Sequence, residues 1–130
     1  MAFKNIALFL YMKNYRQKLG ISGEKMAAEY LKKKGYQIIE RNFRVREGEI
    51  DIISRRKNEL IFIEVKTRTS LTYGFPEEAV GEKKQQKILA VINRYLENKG
   101  LNPTKWHLEI ITLFFDRKKR QFSLRHLKNL

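Results

Sequence analysis

The residues best suited to chemistry lie in two short apolar segments, Glu49-Ile50-Asp51-Ile52-Ile53 and Leu60-Ile61-Phe62-Ile63-Glu64-Val65-Lys66. Both read as β-strands, where alternate side chains share a face. Glu64 and Lys66 are two residues apart, so they point the same way, ~7 Å apart. Leu60 and Phe62 share that face. In the first segment Glu49, Asp51 and Ile53 share a face, and Ile50 and Ile52 point the other way. The polar stretch Arg55–Glu59 between the segments is short enough for an antiparallel hairpin. That pairing brings Asp51 beside Glu64, so two carboxylates and a lysine meet at the edge of an apolar sheet.

Burying such charges is costly unless they pair or bind a metal. Two close carboxylates repel, and a divalent cation removes the repulsion. With Mg²⁺ between them, a phosphate oxygen is polarised and a water becomes more acidic, while the lysine offsets charge in the transition state. The simpler alternative is a structural ion pair, with Lys66 neutralising Asp51 and Glu64. A Glu-x-Lys triplet alone favours that alternative. The upstream Gly-Glu-Ile-Asp strand and the basic charge of the chain bring the metal reading level with it.

The composition supports oxygen chemistry and a polyanionic partner. There are no cysteines, which excludes disulfides, thiolate metal sites and cysteine nucleophiles, and only two histidines, which disfavours a zinc site. Carboxylate ligands suit Mg²⁺ or Mn²⁺. The net charge is +14, from 28 Lys+Arg against 14 Asp+Glu. Such a surface favours nucleic acid. At 130 residues and 42% apolar composition the chain has enough for one core.

Several elements must position these groups. Ser22 suits a helix N-cap, with Ile21 and Met26 as a hydrophobic staple, opening a helix over Gly23–Lys34 that buries Met26, Ala27, Tyr30 and Leu31. Gly35 ends it. Tyr36–Arg44 reads as a first strand with Tyr36, Ile38 and Ile39 apolar, and Gly48 marks a turn. Thr69–Gly74 is loop. Over Glu82–Asn98 the residues Ile88, Leu89, Ile92, Tyr95 and Leu96 recur at helical spacing, Gly100 caps that helix and Pro103 stops it. Trp106–Phe115 and Gln121–Leu127 complete the strands. The order helix, three strands, helix, two strands predicts an α/β fold with a central mixed sheet flanked by helices.

Residues 1–19 read as an N-terminal extension, with a short helix over the apolar run Ile6–Met12, ahead of one domain over 20–130. The run is too short to span a bilayer, which takes ~20 residues. No small-residue cleavage site follows it, as a signal peptide would need. No stable membrane association is expected, and the expected location is the cytoplasm.

Taken in order, Gly23-Glu24, Arg41-Asn42, Gly48-Glu49-Ile50-Asp51-Ile52-Ile53, Glu64-Val65-Lys66-Thr67-Arg68, Gly74, Pro76-Glu77-Glu78-Ala79-Val80 and Lys84 resemble the YraN-like family of bacterial proteins. That family is similar to Holliday-junction resolvases and to the restriction-endonuclease-like fold of the PD-(D/E)xK superfamily. The resemblance spans about residues 20 to 112. It implies that Asp51 and Glu64 are metal-binding carboxylates, that Lys66 is the motif lysine, and that Glu24 reaches the same Mg²⁺ or Mn²⁺ site. The implied activity is a metal-dependent endonuclease acting on DNA rather than RNA, branched or otherwise structured DNA included. The alternative is a non-catalytic nucleic-acid-binding module that keeps the fold. Junction resolvases are dimers because a four-way junction is two-fold symmetric, so a homodimer is compatible with the resemblance. Two departures stand out. Ile50 replaces the superfamily's proline before Asp51, and His107-Leu108-Glu109-Ile110-Ile111 replaces the family's Arg-Phe-Asp followed by aliphatics.

Around this core set, Arg41, Arg44, Arg46, Arg68 and Lys84 are candidate phosphate contacts. Lys83 and Lys87 flank Lys84 and equally suit a solvated helix face. Glu49 is an extra carboxylate on the Asp51 face or a solvated strand end. Tyr73 and Phe75 suit base stacking or core packing. Trp106 reads as core. His107 and His126 stand apart from any partner visible in the sequence and receive no role.

Overall fold

The computed structural model describes residues 2–69, 82–101 and 105–128. The segment 70–81, with Tyr73, Gly74, Phe75 and Pro76-Glu77-Glu78-Ala79-Val80, lies outside the described residues, as do Pro103 and the side chains of Ile6–Met12 and Lys83.

Seven elements follow in the expected order. They are α1 (Ala2–Lys33), β1 (Gln37–Val45), β2 (Gly48–Arg56), β3 (Glu59–Arg68), α2 (Glu82–Asn98), β4 (Trp106–Asp116) and β5 (Gln121–Leu127). The strands form one sheet in the order β1-β2-β3-β4-β5. All neighbours are antiparallel except β3 and β4, which run parallel. A parallel pair needs a long crossover, and the stretch carrying α2 supplies it. The architecture is thus α/β with a mixed sheet flanked by two helices, consistent with a restriction-endonuclease-like fold.

β3 is the central strand, and every residue from Leu60 to Val65 is buried. Its odd positions Ile61, Ile63 and Val65 join Ala27, Ala28 and Leu31 of α1 with Ile52, Ile111 and Leu113. Its even positions Leu60 and Phe62 join Ile88, Val91, Ile92 and Tyr95 of α2 with Ile50 and Ile53. Phe62 is fully buried, edge-to-face with Tyr95 at 5.6 Å and with Trp106 at 5.9 Å between ring centroids. Alternation in β3 therefore builds two cores, one under each helix.

The expected helix start at Ser22 is corrected, because α1 runs unbroken from Ala2 to Lys33. No proline interrupts this stretch, and Gly20, Ser22 and Gly23 weaken a helix without stopping it. Gly23 has a packing reason. A Cβ there would overlap Thr67 Oγ1 of β3 and press on Leu113 Cδ1, so the missing side chain lets α1 close on the sheet. Gly20 has open space around it. Two alanine substitutions should therefore differ in sign. Gly20→Ala should stabilise by about 0.5–1 kcal/mol through helix propensity. Gly23→Ala should destabilise by about 1–3 kcal/mol through overpacking. Urea unfolding of both variants checks this, and equal effects would contradict the close approach.

The C-terminus of α1 is as expected. Gly35 has φ +90°, and Tyr36 N–H bonds back to the Leu31 carbonyl at 2.9 Å, closing a Schellman motif. Tyr36 is a buried residue just before β1 rather than its first member. Met26 is 38% exposed rather than buried, since Ala27, Ala28 and Leu31 supply the inward face of the helix. Ile39 and Leu89 also face solvent. At Ile39 the β1–β2 register shifts, which turns the residue out of the apolar face. The polar stretch expected over Arg55–Glu59 shrinks to a two-residue turn at Lys57-Asn58, both with positive φ.

Candidate functional site: a forked hairpin with two buried carboxylates

The β2–β3 ladder runs from Arg56–Glu59 to Ile52–Ile63 and stops. The next pair in register would be Asp51 and Glu64. Instead the Val65 N–H donates to Asp51 Oδ2 at 2.7 Å, so a side chain replaces the backbone partner and the strands fork. This fork corrects one expectation. Ile50 and Ile52 do not share a face: Ile52 packs in the α1 core and Ile50 in the α2 core. Strict alternation fails where the backbone ladder ends.

Asp51 and Glu64 are both buried, at 9% and 6% exposure. By alternation along β3, Glu64 and Lys66 lie on the α2 face with Leu60 and Phe62. Lys66 Nζ is 3.8 Å from Glu64 Oε2, close enough for attraction but long for a hydrogen bond. Among the described residues, the buried Glu64 Oε1 has no hydrogen-bond partner. Burial pushes the Glu64 carboxyl up to about 7, and the Asp51 charge adds to the rise while Lys66 and Lys84 oppose it. Burial also raises Asp51, against the lowering effect of the Val65 N–H and Lys66.

Lys84, in the first turns of α2, reaches this group. The nearby Lys66 amine and then burial push it down to about 8. The sequence placed Lys84 among the phosphate contacts, and the structure sets it directly beside the Glu64–Lys66 pair.

Glu24 on α1 is half-buried and stands in the same electrostatic neighbourhood. Burial and then Asp51 push its pKa above the ordinary carboxylate value, with Glu49 adding, while Arg41 and Arg44 pull it down. It does not complete a ligand trio. Among the described residues, no group of three His, Asp or Glu side chains gathers at metal-binding distance. Glu49 instead accepts from Arg44 Nε at 2.7 Å in an exposed pair. Arg41 and Arg44 are exposed on the edge strand β1, and Arg68 is exposed at the end of β3.

The two-carboxylate set fits a hard divalent ion. A buried carboxylate oxygen without a donor lacks a positive partner. Mg²⁺ is commonly held by one or two carboxylates, with water and phosphate completing its shell. Asp51 and Glu64 are the residues that would hold it.

Sequence reasoning missed a second polar cluster on the α1 face. Glu109 of β4 is buried, and its Oε1 accepts from Tyr36 Oη at 2.8 Å and pairs with His126 Nε2 at 2.7 Å. His126 Nδ1 in turn lies 3.0 Å from Tyr30 Oη. His107 pairs with Glu59 at 2.7 Å. Neither histidine is isolated, because pairing of β4 with β3 and β5 supplies the partners. One signal was available: a glutamate inside the apolar run of β4 had to be paired if buried. Burial pushes the Glu109 pKa up, but the His126 and Tyr36 hydrogen bonds outweigh it and hold the carboxyl below its usual range.

Among the described residues, no helix is long and apolar enough to cross a membrane. Residues 23–121 match the model of the uncharacterised protein family UPF0102. The chain is 44% identical over 109 residues to a UPF0102 protein of Caldanaerobacter subterraneus subsp. tengcongensis, covering 83% of this chain and 89% of that one. A UPF0102 protein of Caldicellulosiruptor saccharolyticus is 36% identical over 114 residues, 88% of this chain and 97% of the relative. Another, from Chlorobium phaeobacteroides, is 44% identical over 103 residues, 79% and 81% of the two chains. With the matched region enclosing Glu24, the forked hairpin and Lys84, the chain belongs to the uncharacterised protein family UPF0102, the YraN-like family.

Proposed function

We propose that the protein is a Mg²⁺- or Mn²⁺-dependent endonuclease that hydrolyses phosphodiester bonds of DNA, branched or otherwise structured DNA included. The observation that carries this reading is the buried Glu64 Oε1 beside Asp51, without a hydrogen-bond partner among the described residues, with Lys66 and Lys84 at the same point. A purely structural ion pair would leave no such oxygen, because burial without a partner costs about 1–3 kcal/mol. The net charge of +14 supports a polyanionic substrate.

A bound divalent ion would supply Lewis-acid polarisation of the phosphate and a more acidic water. Asp51 is held for its role by the Val65 N–H, which fixes one oxygen and leaves the other for a ligand. Glu64 stays on the rigid central strand. Lys66 can donate to a phosphate oxygen as negative charge grows there in the transition state. Lys84 can donate to a second oxygen. In hydrolysis the water oxygen bonds to phosphorus, one P–O ester bond breaks, and the leaving oxygen takes up a proton. Arg41, Arg44 and Arg68 are exposed cations suited to hold the flanking strand.

Cleavage of labelled duplex, single-stranded, flap and four-way-junction DNA, with matched RNA, tests this in Mg²⁺, Mn²⁺ or EDTA. The expected result is metal-dependent cleavage of at least one DNA substrate that Asp51→Asn abolishes. Binding that ignores EDTA and Asp51→Asn, with every substrate intact, would instead identify a non-catalytic nucleic-acid-binding module.

A further inference from the structure

A cavity of about 250 Å³ opens on the α1 face, among the β2–β3 turn, the start of β4 and the end of β5. Its lining includes Arg56, Lys57 and Lys128, with Tyr36 and Glu109 from the buried polar cluster. Glu64 lies five residues further along β3 than Glu59 and on the opposite face, so this cavity is separate from the carboxylate fork. The offset along the strand is ~17 Å.

The balance of charge in the cavity is decided by which groups are already engaged. Its two carboxylates are taken: Glu59 by His107 at 2.7 Å, and Glu109 by His126 and Tyr36. Among the described residues none of its three cations forms an ion pair, although the charge of Lys128 acts on Glu109. Arg56 lies over the Tyr36 ring, 5.1 Å from its centroid, and is positioned by stacking rather than by an acid. Lys57 sits in a left-handed turn conformation, with φ +51°, which a lysine rarely adopts. The floor is rigid because Tyr30, Tyr36, Glu109 and His126 bond to one another.

Three cations outside any ion pair among the described residues, around a fixed floor, suit an anion with several acceptor oxygens. A guanidinium fork matches a phosphate in two-point contact, and lysines add charge. The volume is below the roughly 300–1,000 Å³ of sites for drug-sized ligands, so the group bound is small. We propose that this cavity is a phosphate-binding site in which Arg56, Lys57 and Lys128 hold the phosphate of a nucleic-acid strand end, a mononucleotide or free inorganic phosphate. The inference does not depend on the nuclease reading.

Side-chain NMR of the full chain at fixed pH tests it. The probes are inorganic phosphate, a deoxynucleoside 5′-monophosphate, and one oligonucleotide with and without a 5′-phosphate. The expected result is a saturable shift of the His107 and Tyr36 signals. Lys57→Ala combined with Lys128→Ala should weaken it at least tenfold. Both lysines are exposed, so the double variant should fold, and an unchanged backbone spectrum verifies that. Asp51→Asn should leave the shift intact, which separates failure here from failure of the nuclease reading. Tighter binding of the 5′-phosphorylated strand than of its unphosphorylated form marks a strand end as the source. Tighter binding of the mononucleotide marks a nucleotide, and equal affinity for inorganic phosphate marks the free ion. No saturable shift with any probe, or a shift unchanged in the double variant, overturns the proposal.

Discussion

Lys66→Ala should reduce metal-dependent cleavage by about 10²–10³-fold while leaving DNA binding nearly unchanged. That range is typical for removing one donor aimed at charge that develops in the transition state. Lys66 is well placed for such a loss. It is largely buried, two residues beyond Glu64 on the same face, and not committed to a short hydrogen bond with that carboxylate. Binding measured with Ca²⁺ in place of Mg²⁺ separates the two effects. A fall in kcat with little change in binding supports a transition-state role, whereas equal losses in both would mean that Lys66 only holds substrate. Lys66→Arg should rescue poorly, because a planar guanidinium replaces a compact ammonium beside a buried carboxylate. Lys84→Ala should cost less, roughly 10- to 100-fold, the worth of one hydrogen bond to a charged group.

The second large effect concerns stability without metal. Glu64 titrates near 7 in the fold against an ordinary value of 4.5. The folded state therefore holds this proton more tightly than the unfolded chain. Between those two values the folded protein carries more protons, so stability falls as pH rises from about 4.5 to about 7 and then levels off. At about 1.4 kcal/mol per unit, the loss from this group is of order 3 kcal/mol. Asp51 is shifted in the same direction and adds to it. Urea unfolding in EDTA at pH 5 and pH 8 should show the loss in the wild type. In Glu64→Gln it should be mostly gone, because the amide never has to carry a charge in the dry fork. Saturating Mg²⁺ should restore wild-type stability at pH 8, by about 2.7 kcal/mol at a hundredfold excess over Kd, and should leave Glu64→Gln little changed. A wild type as stable at pH 8 as at pH 5 would show that Glu64 is already satisfied, which would also remove the main argument for a metal there.

Much of this molecule was legible in its sequence. The order of elements, the β2–β3 hairpin, the two glycine-ended helices and the convergence of Asp51, Glu64 and Lys66 all follow from local rules. A period of two or of 3.6 residues assigns each side chain to a face, and a glycine with positive φ ends a helix where it stands. Lys84 could be named as a cation for nucleic acid, but not as the neighbour of Lys66, because 17 residues separate them in the chain and Lys84 lies on the crossover helix.

What the tertiary structure alone decided depends on where a local pattern is overridden by a distant partner. The fork at Asp51 is such a case: one carboxylate takes the Val65 N–H, the ladder ends, and Ile50 and Ile52 fall to opposite cores. The unbroken α1 is another, since Gly23 reads as a helix boundary in sequence and is instead a contact point with Thr67 on β3. Glu109 and His126 are the third. Each looks idle within its own strand, and they meet only because β4 and β5 pair side by side and turn both toward Tyr36 and Tyr30. Local sequence sets which face a side chain takes and what charge it carries. Only strand pairing and helix docking set which groups share that face, and burial there raises the Glu64 pKa and leaves one of its oxygens without a partner among the described residues.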